Sequence, residues 1–181
     1  RASGIVKGML DHSRVGSGEK VPTDINALCD EYLRLTYHGL RAKDSSFNTG
    51  FETNFDKNLP KTNVIPQDIG RVLLNILNNA FYAVSSTPLR DQHEFKPMVT
   101  ITTKQLNNST TITISDNGIG MSQDSIDKVF QPFFTTKPTG QGTGLGMSIS
   151  YDIITKGHGG ELSVESVEGE GTTFKILLPM V

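Results

Sequence analysis

The stretch MVTITTKQLNNSTTITISD, residues 98–116, alternates apolar and polar side chains in two runs on either side of LNN. Period-two alternation belongs to a strand with one buried face, and two such runs joined by a short Asn-rich turn read as an antiparallel hairpin. The segment before it carries a different period. From Pro66, PQDIGRVLLNILNNAFYAVSS sets Ile69, Val72, Leu73, Ile76, Leu77 and Ala80 on one stripe at helical spacing, with Pro66 where helices begin. Hairpin strands together with amphipathic helices predict an α+β fold, with helices on one face of a mainly antiparallel sheet. The 98–116 strands are expected at its centre, the second delivering Asp116 at its end.

Other segments fit the same plan. A helix is predicted from Asp24 to about Arg41, through Ile25, Leu28, Cys29, Tyr32, Leu33 and Leu35, with Thr23 as its N-cap. Residues 46–56 read as extended and are closed by a turn at Lys57 to Pro60. STPLRDQHEFKP reads as a polar loop, residues 145–156 as helical, and GELSVES and TTFKILLP as a second hairpin turned at VEGEG. Ile5, Val6, Met9 and Leu10 in SGIVKGMLDHS are spaced as the tail of a helix. The chain begins at Arg1 without a methionine, and a piece of a longer protein is expected.

Composition narrows the function. A length of 181 residues suits one domain with a real core, and a net charge of −2 gives no support for a nucleic-acid partner. The single Cys29 excludes an internal disulfide and a cysteine-rich zinc site, and fits a reducing compartment. No apolar run is long enough to span a bilayer, so no membrane contact by this segment is expected.

Arg71, Asn75 and Asn79 stand four residues apart along an otherwise apolar helix. Such amides either cap neighbouring backbone groups or ligate a hard cation such as magnesium, which takes oxygen ligands. In SDNGIGM, Gly118 and Gly120 let the backbone turn close to a flat ligand, and Asp116 can only accept hydrogen bonds. A carboxylate there selects an exocyclic amino group, as on adenine, and opposes a carbonyl. The other reading is an ordinary Asp-Asn-Gly turn. TGQGTGLGMSIS places Gly140, Gly142, Gly144 and Gly146 before a helix, where N–H groups can meet phosphate. It is neither a P-loop nor a dinucleotide fingerprint. Phe130, Phe133 and Phe134 are expected to anchor this loop in the core, and Lys137 to reach a terminal phosphate.

In order, LLNILNNA, DNGIG, FQPFFTTK and GTGLGMSI resemble the N, G1, F and G2 boxes of the catalytic, ATP-binding domain of sensor histidine kinases. That domain belongs to the superfamily shared with DNA gyrase, Hsp90 and MutL, and HGGELSVES and GEGTTFKILLP resemble its closing strands. The resemblance runs from about Ser3 to the end and implies a two-layer, Bergerat-type ATP-binding sandwich with a mixed sheet and helices on one face. It implies that Asn79 holds magnesium, that Asp116 reads adenine and that a lid spans about 121–143. Gly142, Gly144 and Gly146 would pass under the phosphates, and Gly118, Gly120, Tyr82, Thr135, Thr136, Thr143, Leu145 and Thr172 would also border the nucleotide. Asn75 and Lys137 are the expected catalytic residues. Hydrolytic members carry a glutamate base where this chain has Asn75, and an amide cannot take a proton from water. Transfer to an imidazole is thereby favoured over hydrolysis.

By the same resemblance residues 1–15 end a dimerisation and phosphoacceptor hairpin and 16–181 form the catalytic domain, so the acceptor histidine lies upstream. His93 is taken as a surface residue, and His12, His38 and His158 as structural. The implied partners are those upstream helices, in a homodimer of the longer protein, and a response regulator. A cytoplasmic fragment is implied, whether or not the parent has a membrane anchor. The short lid resembles the nitrogen-regulation type. Tyr82 and Ala83 stand where many members carry a basic and an aromatic residue, so Tyr82 either lines the nucleotide site or packs. A regulatory nucleotide-binding module without phosphotransfer, or a hydrolytic ATPase, are the alternative functions.

Overall fold

The computed structural model describes residues 18–180. The expected helix tail at SGIVKGMLDHS, the 1–15 segment and His12 lie outside the described residues. Among the described residues four helices, α1 (Ile25–Lys43), α2 (Pro66–Ser85), α3 (Gln123–Lys128) and α4 (Gly146–Asp152), accompany seven strands. These are β1 (Val21–Thr23), β2 (Gly50–Asn54), β3 (Thr62–Val64), β4 (Met98–Leu106), β5 (Ser109–Asp116), β6 (Glu161–Val167) and β7 (Gly171–Pro179).

The main sheet runs β2-β4-β5-β7-β6, and β1 pairs with β3 in a separate ribbon. Only β2 runs parallel to its neighbour, β4; the other pairs of the main sheet are antiparallel. Both expected hairpins form, β4 with β5 around Asn107, whose φ of 52° is the left-handed conformation such a tight turn demands. Alternation then sorts the sheet's faces. Ile101, Ile114 and Phe174 stand abreast on β4, β5 and β7, buried under the helices, as do Thr103, Ile112 and Ile176 one step on. The mixed sheet packed beneath helices is the expected α+β sandwich.

α2 crosses this face. Every residue of its predicted stripe is buried, and Phe81 and Val84 extend it. Side chains of this kind contribute about 1.5–3 kcal/mol each on leaving water. α1 packs on α2 where Gly70 leaves room: a Cβ there would lie 2.3 Å from the Tyr32 hydroxyl. The N-cap of α1 is Asp24, whose Oδ1 accepts from the Ala27 N–H at 3.0 Å, and not Thr23. Thr23 is paired in β1, and its hydroxyl donates to Val21 O. Pro66 opens α2 without a side-chain cap; instead the Ile65 N–H donates to Nε2 of buried His158 at 3.0 Å, while His158 Nδ1 meets Ile153 O at 2.9 Å. That ring joins α2 to the end of the α4 segment. His38, by contrast, is exposed on α1, so no core role attaches to it.

The 145–156 helix is regular only to Asp152 and continues as a wider π turn over Ile153–Gly157. The polar loop after α2 contains one 3-10 turn, Pro88–Asp91, and His93 beyond it is exposed. Among the described residues no helix is long and apolar enough to cross a membrane.

Candidate active site

Asp116 ends β5 between Val99 of β4 and Thr172 of β7, so its backbone is gripped on both sides. Its Oδ1 accepts from the Gly118 N–H at 2.9 Å. Burial pushes the carboxyl up from 3.8 to about 6, against the N–H groups of Gly118 and Thr172, which hold it down. Above pH 6 it is therefore an ionised acceptor in a poorly solvated place. The turn that follows lies flat on the last turn of α2. A Cβ at Gly118 would fall 2.4 Å from the carbonyl carbon of Ala83, and the Ile119 N–H donates to Ala83 O. Only glycine permits that approach.

Asp116 borders a cavity of about 320 Å³ between α2, the sheet and the 121–146 segment. Ala80, Ala83, Ile119, Met121, Val129, Met147 and Phe174 give it apolar walls. Among its described lining residues, Asp116 carries the one carboxylate and Lys137 the one ammonium. An apolar slot with few converging polar groups is the usual make-up of a small-molecule site.

The second polar group sits on α2. Asn79 Oδ1 accepts from the Lys137 ammonium at 3.0 Å, and that ammonium stands 4.6 Å from the centroid of the Tyr82 ring. Burial pulls the Lys137 ammonium below the ordinary lysine value. One turn back along α2, the Asn75 amide donates to Gly146 O and to Ser150 Oγ, each at 3.1 Å. The two asparagines thus differ in what they hold: Asn75 ties α2 to backbone and hydroxyl of α4, and Asn79 turns its oxygen to the Lys137 ammonium.

The glycine loop closes the cavity. Gly144 has φ +70°, and a Cβ on it would lie 2.4 Å from the carbonyl carbon of Phe133, itself left-handed at φ 65°. Phe133 is 69% exposed, so it does not anchor the loop in the core as expected. Phe134 lines the cavity, and only Phe130 packs inward, against Tyr151 and Phe174. A chain forced into a left-handed residue at Phe133 turns that ring out of the register that spacing alone suggests. α3, inside the expected lid, is capped by Ser122 through the Ser125 N–H.

The predicted residues Asn75, Asn79, Tyr82, Asp116, Gly120 and Thr172 line the cavity from α2, the sheet and the turn after β5. Thr135, Thr136, Lys137, Gly142, Thr143 and Gly144 line it from the loop, and Gly146 from the start of α4. Gly118 and Leu145 do not: Gly118 supports Asp116 from behind, and Leu145 is the N-cap residue of α4. The apolar wall went unpredicted, although Met121, next to the DNGIG turn, was a signal for it.

Residues 65–181 match the family described as histidine kinase-, DNA gyrase B-, and HSP90-like ATPase. The sensor histidine kinase ZraS of Escherichia coli strain K12 is 32% identical over 157 residues, 87% of this chain and 30% of its own length. The signal transduction histidine-protein kinase AtoS of the same strain is 34% identical over 178 residues, 97% of this chain and 26% of its own length. The chain thus spans about a third or less of these relatives. The catalytic domain of the histidine kinase ThkA superposes with a TM-score of 0.70 at 28% identity, over 90% of this chain and 96% of that one. ThkA in complex with the response regulator protein TrrA shares the fold at a TM-score of 0.75 and 24% identity, over 100% of this chain and 48% of that one.

Proposed function

The chain belongs to the family of histidine kinase-, DNA gyrase B-, and HSP90-like ATPases, and from that premise we propose that it is the ATP-binding catalytic domain of a two-component sensor histidine kinase. The observation that carries this reading is the polarity of one cavity, with a strand-held Asp116 carboxyl at one end and Asn79 with Lys137 at the other. Asp116 accepts from the adenine amino group, the apolar walls hold the ring, and Lys137 faces the terminal phosphate. The N–H groups of the 142–146 loop border the phosphate chain.

Asn79 fits the magnesium that such chemistry uses. Its carbonyl oxygen is a hard donor turned into the cavity, and it accepts from a cation already. A magnesium ion held there by Asn79 would neutralise charge on the phosphates. Asn79 needs few companions, since phosphates and waters complete such a shell.

Transfer is favoured over hydrolysis by the Asn75 amide, whose two N–H groups donate to Gly146 O and Ser150 Oγ and which has no basic form to deprotonate water. An acceptor imidazole brings its own lone pair and needs only to be placed in line with the γ-phosphorus. That acceptor, on an upstream helical hairpin in a homodimeric, cytoplasmic kinase region, and a response regulator that takes the phosphoryl group onward, complete the proposal.

Calorimetry tests the site: ATP and ADP are expected to bind with magnesium and GTP at least about a hundredfold more weakly. Equal affinity for GTP removes the adenine assignment. With γ-labelled ATP the chain is expected not to label itself. A separately supplied hairpin is expected to gain acid-labile, base-stable phosphohistidine. Stoichiometric label on His93 would show instead that the acceptor lies within this chain.

A further inference from the structure

Lys137 is held from several directions by groups that carry no negative charge. Its backbone N–H donates to Thr135 Oγ1 at 3.1 Å, closing a tight local turn. Its stem lies along Gly142, where a Cβ would come 3.3 Å from Lys137 Cβ and 3.4 Å from Cδ. Its ammonium ends on Asn79 Oδ1 and over the Tyr82 face. The ion pairs of Arg34 with Asp30, Lys128 with Asp124 and Lys156 with Asp152 each lie within one helical turn. Lys137 instead rests on an amide oxygen and a π face, at a distance typical of cation–π contact.

Such a seat holds a cation without neutralising it. The Asn79 oxygen that accepts from the ammonium is the oxygen with the chemistry to ligate a divalent cation, and the two positive charges would repel strongly at so short a separation. Resting on the reading that magnesium nucleotide binds in this cavity, we propose that Lys137 is an exchangeable counter-cation, competing with the divalent metal for Asn79 Oδ1, and that Tyr82 is the positioning residue that keeps it beside that oxygen. When Asn79 ligates the metal, Lys137 releases it and turns across the Tyr82 ring toward the terminal phosphate. The position three residues after Asn79 carries no charge of its own. The loop delivers one there instead, on an aromatic face that lets it move.

ADP, which lacks the terminal phosphate, separates competition at Asn79 from contact with that phosphate. In the 181-residue chain, the ratio of the ADP Kd in EDTA to that in magnesium is measured by calorimetry. In Lys137→Met the ratio is expected to rise at least about fivefold, the lower end of ordinary coupling between sites, because no ammonium contests the oxygen. Tyr82→Leu is expected to move it the same way by less. A lysine that only binds phosphate would weaken ATP and leave the ADP ratio unmoved, so an unchanged ratio in Lys137→Met overturns the proposal and leaves the nucleotide reading standing. Failure of the unsubstituted chain to bind ADP overturns both. A further measurement needs no nucleotide: amide exchange over residues 135–143 is expected to quicken in both variants, and unchanged exchange overturns the seat.

Discussion

The two ends of the cavity are built of different materials. Asp116 stands at the end of a strand paired on both sides, with the Gly118 turn pressed on α2 so closely that no Cβ fits. Lys137 stands in a loop where Phe133, Pro138, Thr139 and Gly140 are exposed, ahead of a seven-residue helix without a side-chain cap. On the proposed reading, Asp116 meets a base and has to stay in place, whereas Lys137 meets a phosphate that comes and goes and has to respond. The core's stability is spent at the first end, and the second is left to respond.

Glycine replacements are the harshest way to break that contrast. Gly118→Ala is expected to cost roughly 3 kcal/mol or more, because the methyl would meet the Ala83 backbone at 2.4 Å and neither side can yield. Gly140→Ala puts its methyl in open space, and only its φ of +88° opposes it, at about 1 kcal/mol. Urea unfolding of both variants measures the difference. Equal losses would mean that the loop is as tightly built as the strand end.

The same contrast decides what the sequence made legible. Both hairpins and the α2 stripe were readable because local period records which face is buried. The parallel pairing of β2 with β4 was not, since it joins residues 50–54 to residues 98–102 with no local signal. Asp116, Asn79 and Lys137, which border one cavity, could be grouped from the sequence only because box order supplied what each short motif lacked. The outward Phe133 and the short α3 escaped, because loop backbone is decided by tertiary contacts such as that of Gly144 with Phe133. Asn75 and Asn79 have the same side chain and opposite employment. Their partners come from residues 146–150 and from Lys137, beyond anything visible in the helix itself.

Asp116→Asn sharpens the comparison with a smaller effect. The amide can donate to a carbonyl, so preference for ATP over GTP is expected to fall by about two orders of magnitude. In the parent chain, adenine affinity is expected to drop about tenfold per unit as pH falls below about 6 and the carboxyl protonates. Stability moves the other way. The folded-state value lies above the unfolded one, so the protonated carboxyl favours the fold fully below about pH 4, and that advantage is lost as pH rises through about 6. At pH 8 Asp116→Asn is expected to be more stable than the parent by on the order of 2 kcal/mol, with the gap closing near pH 4. Thermal melts across pH, beside calorimetry, check both halves. A stabilised variant that keeps its selectivity would remove Asp116 from the base.

The smallest effect is expected at the joint between the two ends. Asn75 reaches from α2 to Gly146 O and Ser150 Oγ, but Ser150 Oγ itself donates to Gly146 O at 2.8 Å. Truncation in Asn75→Ala therefore leaves the Gly146 carbonyl with a donor and deprives only the serine oxygen of one. The cost is expected near 1 kcal/mol, the worth of a single net hydrogen bond, with faster amide exchange at 142–150 as its local sign. Asn75→Asp keeps the volume and reverses the chemistry, since a carboxylate has no N–H to offer the Gly146 carbonyl. It is expected to be the more damaging of the two in urea unfolding. Were alanine the worse substitution, Asn75 would be acting through its bulk, and packing rather than donated hydrogen bonds would join the strand-held end of the cavity to the loop end.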